Sequence, residues 1–250
     1  LANIIMNGSA GLDQKIDARR QLQSLFATAQ LGYNEFVYLD LSARNDWSST
    51  LAYTSHEKSG FFYPSVGFSL IFNKLMTLPQ WVSLAKIRGA YSMVGNDIPM
   101  FITNPSSHIT AGGEFLASDA APFKDMEPEM THSFEAGIEA RFLKNRIGLN
   151  ATFYKTNTRN QFFKLPTLSG DKYAYRYVNA GDIQNVGWEI SLDAVPLLTN
   201  HFKWKTEVNF STNRNKMISL HEALKEFLYG PTSFSSSYAM KLVKGGSIGD

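Results

Sequence analysis

The chain has 250 residues, enough for one or two soluble domains, for a membrane barrel of moderate size or for part of a larger one. Its 24 basic and 22 acidic side chains leave a formal net charge of +2, which gives no overall field for nucleic acid, and the absence of cysteine removes disulfides and thiolate metal sites. No stretch approaches the roughly 20 consecutive apolar residues a membrane helix needs, so a chain of this kind meets a membrane only as a β-barrel.

The first strand-length segment spans 22–33 and carries Leu25, Ala27, Ala29, Leu31 and Tyr33 on one face. It turns at Asn34-Glu35 and returns over 36–47, where Val37, Leu39, Leu41 and Ala43 oppose Tyr38, Asp40, Ser42 and Arg44. Period two puts the sets on opposite faces, and the short separation predicts a tight hairpin. A third segment, 61–73, sets Phe62, Val66, Phe68, Leu70 and Phe72 against Ser65, Gly67 and Ser69. A connection through Pro79 leads to a fourth, 81–94, with Lys86 and Arg88 on its polar face. The fifth, 132–142, alternates Phe134, Ala136, Ile138, Ala140 and Phe142 with Ser133, Glu135, Gly137, Glu139 and Arg141. Leu143-Lys144-Asn145 joins it to a sixth, 146–163. The seventh, 186–194, and eighth, 202–213, are joined around Pro196, and the last sets Phe202, Trp204, Thr206, Val208 and Phe210 against Lys203, Lys205, Glu207, Asn209 and Ser211.

The short turns fall on one side, and stretches 45–60, 95–131 and 164–185, rich in Gly, Pro, Ser, Thr and Asn, read as long loops on the other. Short periplasmic turns with long extracellular loops are the asymmetry of bacterial outer-membrane barrels. Aromatic residues stand where strands meet those ends: Tyr33, Phe36, Phe72, Trp81, Phe142, Phe202 and Trp204 near the turns, Trp47, Phe61 and Trp188 near the loops, as interface girdles do. The expected fold is an all-β, antiparallel transmembrane barrel segment of eight strands. A soluble antiparallel sandwich alternates in the same way, but the apolar positions here persist over about ten residues per strand, the length of a tilted membrane-spanning strand. Leu1 is not preceded by a signal sequence, and Gly245-Gly246-Ser247-Ile248-Gly249-Asp250 is not a closing strand, so the chain reads as a fragment.

Several motifs in order carry a family resemblance: Arg44-Asn45-Asp46-Trp47-Ser48-Ser49-Thr50, Tyr63-Pro64-Ser65, Lys86-Ile87-Arg88, Tyr91-Ser92, Val94-Gly95-Asn96, Pro128-Glu129, Ser133-Phe134-Glu135-Ala136-Gly137 and Tyr154-Lys155-Thr156. The most distinctive are Val178-Asn179-Ala180-Gly181-Asp182-Ile183-Gln184-Asn185-Val186-Gly187-Trp188-Glu189 and Asn209-Phe210-Ser211-Thr212-Asn213-Arg214-Asn215-Lys216. With these, the chain resembles the SusC/RagA family of TonB-dependent outer-membrane transporters of Bacteroidetes. The resemblance implies a barrel of about 22 strands in the bacterial outer membrane. Residues 1–250 would then be part of its C-terminal barrel domain, with the N-terminal plug, the TonB box and the final strands outside the chain. It also implies import of glycan or peptide oligomers driven through TonB, a SusD-like surface lipoprotein as lid on the long-loop side, and outer-membrane lipid around the wall.

By parity, Arg44, Lys86, Arg88, Glu135, Glu139, Arg141, Glu189, Lys203, Lys205 and Glu207 face the lumen, and Arg44, Lys86 and Arg88 are candidate substrate contacts. Both signs are interleaved on neighbouring strands, which favours pairing across the wall over ligand binding for most of them. The loop aromatics Phe101, Phe115, Tyr173, Tyr175 and Tyr177 are candidates for stacking on sugar rings or peptide side chains, or else for docking the lid or folding the loop. His221-Glu222-Ala223-Leu224-Lys225 starts like a helical zinc-protease motif but has Lys225 where the second histidine belongs, so it predicts no metal. No phosphate cradle, calcium loop or activated nucleophile is indicated, and the expectation is a non-enzyme without cofactor. A surface adhesin and a passive porin stay open as rivals on the residues alone.

Overall fold

Each of the eight expected segments becomes a strand of one antiparallel sheet. The computed structural model describes residues 2–7, 11–16, 19–109, 113–124, 126–167, 170–220, 226–229 and 240–247. In chain order the strands are β1 (Ala2–Asn7), β2 (Gly11–Ile16), β3 (Leu22–Tyr33), β4 (Val37–Ser48), β5 (Phe61–Ile71), β6 (Val82–Asn96), β7 (His108–Ile109), β8 (Phe115–Leu116), β9 (Glu129–Phe142), β10 (Ile147–Pro166), β11 (Tyr175–Leu198), β12 (Lys203–Leu220), β13 (Glu226–Tyr229) and β14 (Met240–Val243). The main sheet has the order β12-β11-β10-β9-β6-β5-β4-β3, and β1–β2, β7–β8 and β13–β14 form separate two-stranded ribbons. Strands adjacent in the main sheet are consecutive along the chain apart from the small β7–β8 ribbon, which makes the sheet an up-and-down meander.

The turns explain the sharp reversals. Asn34 and Glu35 both have positive φ, 46° and 58°, the backbone a two-residue hairpin turn of type I′ demands. Leu143, Lys144 and Asn145 are left-handed in succession, at 51°, 54° and 65°, and Arg146 N–H closes the turn on the Phe142 carbonyl at 3.0 Å. The third expected strand stops at Ile71, two residues early, because Phe72–Leu75 winds into a single helical turn, α1. Asn73 there clamps β6, accepting from Ala85 N–H at 2.7 Å. Lys74 on α1 reaches Glu35 in the neighbouring turn at 2.5 Å. That ammonium, through its hydrogen bond first and its charge second, holds the exposed Glu35 carboxyl below its ordinary value, and Glu35 holds Lys74 above its own.

Register carries the two faces across the whole sheet. One row of directly paired residues runs Tyr33, Val37, Leu70, Ile87, Ile138, Ala151, Ile190, Phe210, and every member is apolar. The exposed apolar side chains Leu31, Leu41, Val66, Phe68, Tyr91, Phe134, Ile138, Trp188, Leu192 and Val208 share that face by alternation. Ten such side chains on one exposed face suit hydrocarbon, not water. Tyr33 is the last residue of β3, whereas Phe210 lies seven residues beyond the start of β12 at Lys203. With the short turns taken as one level, the wall slips about one residue per strand. At about 3.3 Å along and 4.8 Å across, that is a strand tilt of about 35°, the tilt at which barrels close.

Two expectations change on the loop side. Stretch 164–185 is strand for most of its length: β10 runs to Pro166 and β11 begins at Tyr175, giving strands of 20 and 24 residues that leave a connection of only 167–174. This part of the hairpin rises above the apolar band, where neither face meets lipid, and no hydrophobic alternation marks it. Phe61, expected in a girdle, is 2% exposed. It pairs with Asp46, on the polar face, and is buried beneath a loop.

Candidate functional site

The polar face of the sheet and the loops over its upper end form the candidate site. Direct pairing puts Lys86 opposite Glu139, Glu135 opposite Tyr154, Thr152 opposite Glu189 and Asp193 opposite Glu207. Arg44, Arg88, Arg141, Lys203 and Lys205 join them by alternation along their strands. Glu139 sits between Lys86 Nζ at 4.0 Å and Arg141 Nε at 3.6 Å. Arg88 donates to Thr152 Oγ1 at 2.8 Å, and its guanidinium lies over Gly137, where a Cβ would stand 2.9 Å from Nε. Arg44 donates to Asp46 at 2.7 Å and to Ser24 at 3.1 Å. Lys205 pairs with Glu207 at 3.6 Å, and Asn209 and Ser191 extend that chain of bonds. The three basic candidates are therefore each engaged by neighbours in the wall. Exposed pairs of this kind stabilise by about 0–1 kcal/mol each, weak enough to exchange partners with a polar ligand. Among the described residues Glu135 and Glu189 carry no ion pair.

Above this wall the connection between β6 and β9 folds inward. Ile98, Ile102 and Met126 from it pack with Leu51 and Phe61, and Tyr63, Phe123, Phe162 and Tyr177 close the cluster. Phe61 and Tyr63 stand on β5 whereas Phe162 and Tyr177 stand on β10 and β11, so the loop bridges parts of the wall separated by two strands. Asp97 anchors its start: the carboxylate accepts from Ser48 Oγ at 3.0 Å, Thr50 Oγ1 at 2.5 Å and Ile98 N–H at 2.8 Å, and pairs with Arg20. Asn179 anchors its end, accepting from Glu127 N–H at 2.9 Å while donating to the carbonyls of Glu127 at 2.8 Å and Asn160 at 2.6 Å. Asn160 itself is left-handed, at φ 58°, where β10 breaks register. Asp97 and Asn179 are missed by a search for ligand-binding residue types. The signal for Asn179 was the motif Val178-Asn179-Ala180-Gly181-Asp182 itself, whereas Asp97 stands just after the motif Val94-Gly95-Asn96.

The aromatic candidates separate into two groups. Phe101, at φ 68° and 49% exposed, and Phe115, 65% exposed, offer free rings on the loop. Tyr177 belongs to the buried cluster and meets Phe162 edge to face at 6.2 Å. Tyr175 lies edge-on to Tyr177 and beneath the Lys164 ammonium, 3.4 Å from the ring centroid, and Tyr173 has Lys172 at 5.2 Å. The structure does not bring these five rings together into one surface. Residues His221 to Lys225 lie outside the described residues, and among the described residues no three His, Asp or Glu side chains gather as a metal site would.

An up-and-down, tilted sheet with an apolar outer band, a charged inner face and an infolded loop defines a segment of outer-membrane β-barrel wall. The chain belongs to the family described as "TonB dependent receptor-like, beta-barrel", which it matches over residues 3–226. Among its relatives, TonB-dependent receptor P39 of Formosa agariphila is 25% identical over 208 residues, 80% of this chain and 20% of that protein. TonB-dependent receptor SusC of Bacteroides thetaiotaomicron is 24% identical over 227 residues, 82% of this chain and 22% of that protein. The fold superimposes on the RagAB peptide importer in its open-open state with a TM-score of 0.79 at 22% identity, covering 97% of this chain and 26% of that one. The siderophore receptor PirA of Pseudomonas aeruginosa is more distant, with a TM-score of 0.52 at 15% identity. The chain thus spans about a fifth to a quarter of P39, SusC and the RagAB chain, and 37% of PirA, each of them named as a receptor or an importer.

Proposed function

We propose that the chain is a sector of the barrel of a TonB-dependent importer that brings oligomeric nutrients, glycans or oligopeptides, across the outer membrane. In this reading residues 1–250 belong to the C-terminal part of a barrel of about 22 strands with an N-terminal plug. A SusD-like lipoprotein closes over the long-loop side and TonB supplies the energy through the plug. The observation that carries the reading is the infolded loop between β6 and β9, anchored by Asp97 and Asn179 on the polar face. A loop packed over the polar face from β5 to β11 narrows the lumen beside it, which suits a controlled passage. Arg44, Lys86 and Arg88 then line the path, with Phe101 and Phe115 presented at its entrance. Purification of the full-length protein from the outer-membrane fraction tests this. Co-purification with a lipoprotein, and uptake of labelled oligomers that stops when TonB is deleted, is the expected result. Uptake indifferent to TonB would overturn it in favour of a passive pore.

A further inference from the structure

On the outer face, among the described residues, the first charged positions above the apolar band are basic and stand in one sector, and above them Asp182 accepts from Asn157 at 3.3 Å and pairs with Arg159 at 3.9 Å. On β10, Ile147, Leu149, Ala151 and Phe153 face outward and the next outward position is Lys155; on β12, Trp204 to Thr212 are followed by Arg214 and then Lys216. Lys155 and Arg214 lie in one row, each paired with Val186 of the strand between them, which separates their backbones by two strand spacings, roughly 10 Å. One row up, Asn157, Gln184 and Lys216 are paired in line, with Gln184 donating to Asn157 at 3.2 Å. Lys155, Arg214 and Lys216 are exposed, and among the described residues none has an acidic partner. His132, next to Asn157 on β9, is bonded to the Tyr91 hydroxyl at 2.8 Å. The upper outward positions of the other half of the wall, Asn45, Phe62 and Met93, carry no charge.

We propose that this sector is a binding site for a phosphorylated glycolipid of the outer leaflet, with Lys155, Arg214 and Lys216 holding the headgroup phosphate and the apolar rows beneath holding acyl chains. The long-loop end is the extracellular end, and the outer leaflet there is built from glycolipid bearing phosphate on its sugars. Flexible lysine and forked arginine side chains on strands two apart converge on one anion over the short Val186, and arginine binds phosphate through two parallel hydrogen bonds. Clusters of cations at the depth of the headgroups, beside an apolar surface, recognise anionic lipid. The asymmetry matters: a solvated rim would distribute its charges around the wall, whereas these three stand on two strands of eight.

The test uses detergent-purified, delipidated full-length protein and bis-phosphorylated lipid A, with binding read by native mass spectrometry. The expected result is at least tenfold weaker binding by K155A/R214A/K216A and by wild type offered phosphatase-treated lipid A, with K203A/K205A on the inner face unchanged. Equal binding of the two lipids by wild type, or unchanged binding by the triple variant, would overturn the proposal. So would displacement of the lipid by inorganic phosphate at equal concentration, which would make this a simple anion site. Heat-modifiable mobility on gels checks that the triple variant folds; if it does not, the lipid comparison on wild type still decides.

Discussion

Asp97 is the most heavily used single side chain at the mouth. It takes hydrogen bonds from Ser48 and Thr50, residues only 6% and 7% exposed, and from its neighbour's backbone. Asp97→Ala leaves those hydroxyls with fewer partners at a cost of about 1–3 kcal/mol. The loop from 97 to 128 is then expected to become sensitive to protease added to intact cells, while outer-membrane yield is retained. Gly187 is a second such position. It faces Tyr154 across the β10–β11 pair, and a Cβ there would meet the Thr212 carbonyl oxygen and stand 2.5 Å from the Tyr154 hydroxyl. Gly187→Ala should lower the unfolding midpoint, at a cost of about 1–3 kcal/mol from overpacking. Gly67→Ala, where the nearest atoms are 3.8 and 3.9 Å away, serves as the tolerated comparison.

Among the elements, the loop between β6 and β9 and the turns at the opposite end respond to different variables. Phe101 and Phe115 are free rings, so F101A/F115A is expected to weaken half-saturation of uptake about tenfold, about 1.4 kcal/mol, with thermal stability unchanged. Tyr177→Ala removes a ring from the buried cluster and should lower stability by about 1–3 kcal/mol. At the turn end, Glu35 sits below its ordinary value, so its share of the Lys74 pair is complete above the ordinary carboxylate range and lost as pH falls through the depressed value. Lys74 sits above its ordinary value, so its share is complete below the ordinary lysine range and lost as pH rises through the raised one. Amide protection at Ile71, which donates to the Phe36 carbonyl at 2.7 Å, should therefore be flat between those limits and decline outside them in low salt. Lys74→Gln should remove the dependence. The strands were legible because lipid on one face and water on the other write themselves into alternate residues, from Leu25 to Phe210. Residues 164–166 of β10 and 175–185 of β11 were not, because above the lipid both faces meet water or protein. The burial of Leu51, Ile98, Ile102 and Met126 has no periodic signature either, since it depends on a loop meeting distant strands.

For the whole molecule, the motifs from Arg44 to Lys216 were enough to reach the family, and the face of each charged residue followed from parity. Which charges hold one another was not legible, because it depends on register: Lys86 meets Glu139 only through the pairing of β6 with β9. The exposed ring of Phe101 and the half-buried ring of Tyr177 likewise look alike in sequence. What separates them is the loop that closes over one and leaves the other in solvent.

The tilt of the sheet has one more effect, on assembly. A strand that slips by one residue exposes its wrong face and is rejected at once. A slip by two keeps every face correct, and hydrogen bonding alone does not oppose it. Such a slip moves the strand about 7 Å along its own axis. In β10 or β12 it would draw Lys155 or Arg214 down into the hydrocarbon, where a cation costs up to about 2–4 kcal/mol near the midplane. The bilayer thereby acts as a ruler against which the barrel is set, with the basic residues as its graduation marks.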